Sequence, residues 1–187
     1  MESNKKENFL LEFIKFIVIT LVVVLPIRWF IAEPYIVSGA SMDPTFASNQ
    51  YIIVDQLSYR LGNPARGQVV IFHDPLNIKI DFIKRIIGLP GETVKIDGEQ
   101  VTITNAVGET FTLDEPYVAA ANQKDNPPSS VTLGKDEYFV MGDNRAESFD
   151  SRSWGVLPRN LIVGTPFIRL FPLNKIGLYP GDYNEPK

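Results

Sequence analysis

The segment FLLEFIKFIVITLVVVLPIRWFIA, residues 9–32, constrains this chain more than any other. Its charge-free heart covers residues 16–27, only 12 positions. A helix that spans a bilayer needs about 20 apolar residues. Lys15 and Arg28 bound the heart, and their long side chains can reach back to the headgroups. With those flanks counted, residues 9–32 suffice for a transmembrane anchor. Trp29 and Tyr35 suit the interface beyond it. Pro26 is placed to kink the helix near its end. Lys5, Lys6 and Lys15 precede the heart, and after Arg28 no Lys or Arg occurs before Arg60. That asymmetry puts residues 1–8 in the cytoplasm and the remainder outside, in a single-pass cell-membrane topology. A cleaved signal peptide has a core of similar length. However, WFIAEPYIV offers no convincing small-x-small cleavage site, and Ser38-Gly39-Ala40 lies far from the core. A buried helix is the third reading.

Beyond Tyr35 the pattern becomes short β-branched runs broken by Gly, Pro and Asn. Strands are expected over 51–54, 68–72, 80–87, 93–96, 101–104, 138–141 and 161–169. Asp97-Gly98, between apolar runs, signals a hairpin. No amphipathic helix of convincing length follows the anchor. The fold class is therefore mostly β: one N-terminal transmembrane helix, then a β domain over 33–178, sandwich or barrel-like. Residues 105–135 are polar, hold Pro116, Pro127 and Pro128, and lose the alternation. They read as an inserted subdomain or long loop with room for one further hairpin. Residues 179–187 read as a disordered tail.

Composition removes several chemistries. Without cysteine there is no disulfide, no thiolate zinc site and no cysteine nucleophile. The single histidine, His73, leaves a zinc site short of ligands. A net charge of −4 and the lack of a basic patch argue against nucleic acid as a partner. There is no Gly-rich phosphate loop and no internal repeat. Neither cofactor nor metal is expected.

Three segments carry candidate chemistry. Ser38-Gly39-Ala40-Ser41-Met42-Asp43-Pro44-Thr45 combines a permissive glycine with a fixed exit at Pro44, a frame that can hold a serine hydroxyl rigidly. An ordinary turn uses the same residues. A serine needs a base to become a nucleophile. His73 with Asp74 is one option, although a neighbour on a strand points elsewhere. A lysine is the other, provided burial strips it of its proton. Alternation puts Lys84 on one face with Phe82 and Ile86, whereas Arg85 faces the other way and needs a carboxylate. A snorkelling lysine at a sheet edge is the bland alternative. The third segment, 142–152, packs opposite charges and hydroxyls into one loop. Such a network can hold a lysine amine and shield it from water, or form a purely structural corner.

Five stretches together resemble bacterial type I signal peptidases: SGASMDPT at 38–45, YIIVDQLSYR at 51–60, RGQVVIFHDP at 66–75, FIKRIIGLPGE at 82–92 and MGDNRAESFDSRSWG at 141–155. They occur in the family's order behind an apolar anchor. The resemblance implies a β-rich catalytic domain outside the membrane. It implies a membrane-bound serine endopeptidase that removes signal peptides from exported preproteins, cutting after small residues at −1 and −3. Its partners would be preprotein signal peptides and the lipid bilayer; the oligomeric state stays open. Ser41 would be the nucleophile that forms an acyl-enzyme, Lys84 the general base and Ser148 the residue that orients the lysine. The Ser41 N–H would help form the oxyanion hole. Val37, Met42, Phe82 and Ile83 would line the small pockets. Arg85, Asp143, Asp150 and Arg152 would shape the surrounding loops. Some members place a serine two residues before the nucleophile, where this chain has Gly39. The glycine form looks like the single-anchor branch seen in Gram-positive bacteria, with an oxyanion hole made of backbone donors. A self-cleaving Ser–Lys repressor-type protease and a catalytically silent peptide-binding β domain are the rival functions. The first would need a DNA-binding domain where the anchor stands, and the second would tolerate loss of Ser41 or Lys84.

Overall fold

The computed structural model describes residues 2–26 and 32–183. In chain order the elements are α1 (Glu2–Pro26), β1 (Ala32–Ile36), β2 (Tyr51–Asp55), α2 (Leu57–Leu61), β3 (Val69–Asp74), β4 (Asn77–Gly88), β5 (Thr93–Gly98) and β6 (Gln100–Thr104). They continue with β7 (Thr110–Thr112), β8 (Asn126–Thr132), β9 (Glu137–Met141), α3 (Ser151–Trp154), β10 (Leu157–Pro158), β11 (Ile162–Phe171) and β12 (Gly177–Leu178). The architecture is mostly β.

The large sheet runs β1-β2-β11-β3-β4-β9-β10, with β12 added to β11. The small sheet runs β7-β6-β5-β8. The run Val69-Val70-Ile71-Phe72 explains why β3 is central. Val70 and Phe72 face a cluster with Ile86, Val140 and Leu157, while Val69 and Ile71 face one with Val37, Met42, Phe46 and Ile52. A strand apolar on both faces must be covered on both. Each such side chain contributes about 1.5–3 kcal/mol when fully buried. Beside it, β4 pairs Val70 with Lys84 and Val69 with Arg85. Strand β9 joins β4 only from Arg85 onward. Residues 81–84 are therefore laddered on one side, and β1 ends the sheet order at the far side.

Every expected strand overlaps an observed one, and Asp97 pairs with Gln100 across a turn in which Gly98 has φ +63°. Other expectations need correction. Strand β1 begins at Ala32, a residue assigned to the anchor; an apolar run conceals where helix gives way to strand. The small sheet begins at Thr93, not near residue 105: β7 pairs with β6 and β8 with β5. Residues 93–132 thus form a sheet of their own, larger than the polar stretch. Pro127 and Pro128 sit in β8, which is an edge, where a missing N–H removes no ladder bond. Residues 179–183 pack rather than trail. Gly181 O accepts from Arg85 Nη1 (2.6 Å), and the Tyr183 ring meets Tyr117 edge-on, with centroids 5.4 Å apart. Residues 184–187 lie outside the described residues.

Residues 2–8, expected as a tail, already belong to α1. Its described apolar side chains are exposed around the helix, as at Phe9, Phe16, Ile19 and Val22. Among the described residues no helix is long and apolar enough to cross a membrane. The transmembrane helix expected over 9–32 is therefore not shown by the fold. Residues 27–31, with Arg28 and Trp29, lie outside the described residues, and Pro26 is the last described residue of α1.

Candidate active site

Ser41 sits in a loop pinned at several points. After β1, Val37 N donates to Gln50 O (2.9 Å) and Asn49 N to Val37 O (2.8 Å). Ser48 Oγ accepts from Gly39 N (2.9 Å) and donates to Gly39 O (3.0 Å), holding that glycine at φ +96°. Below the loop, Met42 and Phe46 are 1% and 0% exposed. From the far side, Asn144 N donates to Ser41 O (3.0 Å), and Thr45 Oγ1 to Asp143 Oδ2 (2.5 Å). Among the described residues nothing accepts the Ser41 N–H. It remains available to a developing negative charge beside Ser41 Oγ.

Lys84 projects from β4 toward this serine. Its Nζ donates to Ser41 Oγ (2.8 Å) and to Ile83 O (2.9 Å), and lies 5.3 Å from the centre of the Phe82 ring. The residue is only 3% exposed. Burial pushes its pKa down from 10.5 to about 8, against the upward pull of Asp150 and Asp143. A charged amine loses hydration there, so the neutral form gains. A neutral amine has a lone pair that can take the Ser41 proton at this separation.

The opposite face of β4 carries a saturated cation. Arg85 Nε donates to Asp143 Oδ1 (2.8 Å) and Nη2 to Oδ2 (2.6 Å). Nη1 reaches Gly67 O and Gly181 O, both at 2.6 Å. The guanidinium also lies 3.9 Å from the centre of the Tyr117 ring. Nearby, Asp150 accepts from Gly142 N (3.0 Å), Arg152 Nε (2.8 Å) and Arg152 Nη2 (2.7 Å). Burial alone would raise the Asp150 pKa, but the Arg152 guanidinium outweighs it and holds the carboxyl below its usual range. Asp150 also caps α3 through Arg152 N.

The cleft at Ser41 and Lys84 encloses about 290 Å³. One wall runs from Tyr35 to Ser41 and the other from Asp81 to Lys84, with Glu147 and Phe149 at the rim. Val37, Phe82 and Ile83 line it; Met42 does not. Its side chain turns inward to fill the core beneath the nucleophile loop. The Ser148 hydroxyl is buried and helps hold the Asp150 carboxyl below its usual range, while the Lys84 amine donates to Ser41 Oγ and Ile83 O. Gly142 keeps Ser148 close: a Cβ there would collide with Ser41 O and Ser148 Oγ. His73 pairs with Asp81 (2.6 Å), not Asp74, and lines a polar cavity of about 810 Å³ that shares Tyr35 and Asp81 with the cleft. A Ser41–His73–Asp74 relay is not assembled. Among the described residues no three His, Cys, Asp or Glu side chains cluster to hold a metal.

Sequence reading missed Ser48, Glu115, Tyr117 and Asn122. Arg145 donates through Nη1 to Glu115 Oε2 (2.9 Å) and is almost fully buried. A buried arginine demands a carboxylate. That demand was the available signal, but it does not say which of 22 acidic residues answers it.

The signal peptidase, peptidase S26 family matches residues 10–171. The chain belongs to that family. A probable signal peptidase I-2 from Synechocystis is 38% identical over 97% of this chain and 84% of its own length. Signal peptidase I from Bacillus licheniformis is 36% identical over 94% of this chain and 96% of its own. The crystal structure of a signal peptidase I from Enterococcus faecalis is similar at 30% identity, with a TM-score of 0.48, covering 56% of this chain and 97% of that one. In this S26 peptidase, the two segments that hold Ser41 and Lys84 both fall within the matched span.

Proposed function

We propose that this chain is a type I signal peptidase that cuts exported preproteins after small residues at −1 and −3. The 2.8 Å contact between the Lys84 amine and the Ser41 hydroxyl, with that amine buried, carries the reading. The substrate lies extended between residues 35–41 and 81–84, where β4 has an unladdered edge, and adds a strand. Val37, Phe82 and Ile83 restrict the side chains that fit. Neutral Lys84 takes the Ser41 proton as Oγ attacks the scissile carbonyl. The Ser41 N–H receives the oxyanion. As the tetrahedral species collapses, the C–N bond breaks and Lys84 returns the proton to the leaving amine. Water then attacks the acyl-enzyme ester, with Lys84 again accepting a proton, and Ser41 is released. Ser148, which flanks Gly142 together with the Ser41 backbone, orients the amine. The apolar segment from Phe9 up to the start of β1 acts as the anchor, with the residues ahead of it cytoplasmic and the β domain outside. The exposed apolar surface of α1 and the basic residues ahead of the heart support that topology.

The full-length chain, released from membranes only by detergent, should cleave a preprotein after a small-x-small site. Ser41→Ala and Lys84→Ala should each lower kcat by about 1000-fold or more without unfolding the protein. Full activity in either variant rejects the dyad. Release of the chain by an alkaline wash alone rejects the anchor.

A further inference from the structure

The reactive end of the cleft is built from two loops, 38–45 and 142–152, and a residue of the inserted unit touches both. Asn122 closes the short turn Ala120–Asn122 between β7 and β8. Its Nδ2 donates to Asp43 O (2.9 Å), and its own carbonyl accepts from Ala146 N (3.0 Å). Asp43 stands two residues after Ser41, and Ala146 two before Ser148. Other braces hold one loop each. Arg169 Nη2 donates to Thr45 O (2.8 Å), Glu115 holds Arg145, and Asn126 accepts from Arg152 Nη1 (3.2 Å).

We propose that Asn122 is a positioning residue for peptide cleavage: by bridging the two loops it sets the spacing of Ser41 from Lys84 and keeps water off the amine. The proposal rests on the dyad reading given above. A side-chain amide is what the bridge needs, because Asp43 O requires a donor and a carboxylate has none. Without that bond the nucleophile loop keeps its direct ties to Asn144 N and Asp143, so the chain still folds. It gains freedom at Asp43, two residues from the nucleophile. Water entering there rehydrates the ammonium form and moves Lys84 back toward an ordinary lysine. The inserted sheet then belongs to the catalytic apparatus, although it contributes no group to the cleft wall.

The test compares the full-length chain in detergent with Asn122→Ala and with Asn122→Asp, which keeps the size and the backbone carbonyl but loses the donor. Three quantities are read: kcat and KM on a preprotein, the melting temperature, and the pH midpoint of the Lys84 Cε resonance in ¹³C-labelled protein. Both variants should lower kcat about tenfold with KM within about twofold, as loss of one positioning hydrogen bond implies. The Lys84 midpoint should rise from about 8 to roughly 9 or above. An unmoved midpoint overturns the proposal, whether or not kcat falls. So does a loss of activity that merely follows the unfolded fraction. If the wild-type chain cleaves no preprotein while the midpoint still moves, the bridge stands and the assigned substrate falls.

Discussion

The two faces of β4 bury neighbouring cations and use them in opposite ways. On one face, Arg85 is 1% exposed and its guanidinium is matched by the Asp143 carboxylate and two backbone carbonyls. On the other, Lys84 is 3% exposed and its amine donates to a hydroxyl and a carbonyl, with both nearby carboxylates engaged by arginines. A buried charge with a full set of partners stays charged and braces the fold. A buried charge without a carboxylate of its own is driven toward neutrality, and a neutral amine is a base. In the proposed mechanism one strand thus supplies both the brace and the base, and alternation alone separates them.

The sharpest way to break this contrast is to remove Asp143. Asp143→Ala strands the Arg85 charge in the interior, and loss of one partner of a buried pair costs about 3–5 kcal/mol. For a chain of this size that is a fall in melting temperature of about 10 °C. It also releases Thr45 Oγ1 from the nucleophile loop. Lys84→Met should lose activity yet melt at or above the wild-type temperature at pH 8, since it replaces a desolvated amine with an apolar group of similar length. Differential scanning calorimetry of both variants checks the pair. A larger loss of stability in Lys84→Met than in Asp143→Ala reverses the assignment of brace and base.

A smaller effect lies in the pH dependence. The Lys84 pKa is lowered in the folded state, from 10.5 to about 8. Below about 8 the folded protein must hold a desolvated ammonium, so the destabilising cost is fully present there. Between about 8 and 10.5 the unfolded chain binds the extra proton, and wild-type stability should rise with pH relative to Lys84→Met. Above 10.5 both states are neutral at this site and the difference levels off. The kcat/KM of the wild type should rise about tenfold per unit below its inflection and flatten above it. An inflection near 6.5 that His73→Ala abolishes would instead assign the base to histidine.

Periodicity made the body of this fold legible and also set the limit of legibility. β-branched alternation marked β3 through β6 because each has at least one apolar face. Strand β1 was hidden by the apolar run that precedes it, and β8 by prolines that only an edge can accept. The pairing of β7 and β8 with β6 and β5 is a long-range choice that a polar stretch does not announce. At the site, alternation put Lys84 and Arg85 on opposite faces, and the structure brings Lys84 to Ser41. The inward turn of Met42, the burial of Ser148 and the Arg145–Glu115 pair depend on packing between segments far apart in the chain.

The smallest expected effect concerns two glycines on the same loops, and it bears on how the oxyanion is held. Gly142 is wedged between Ser41 O and Ser148, so any side chain there displaces the nucleophile loop. Gly39 meets nothing within 4 Å of where a Cβ would stand. Space therefore permits Gly39→Ser, and the only local cost is its φ of +96°, a conformation that disfavours L side chains by about 1–2 kcal/mol. Ser48 already grips the Gly39 backbone on both its N–H and its carbonyl, which resists relaxation of that angle. If the Ser41 N–H and its backbone surroundings suffice for the oxyanion, the variant should change kcat by less than about threefold, with a melting temperature lower by about 2–6 °C. A kcat gain of about tenfold would show that the native hole lacks a donor which a hydroxyl at this position supplies. The unladdered edge of β4 and the open side of Gly39 would then mark the cleft wall, rather than the braced Arg85 face, as the part of the site still short of its best arrangement.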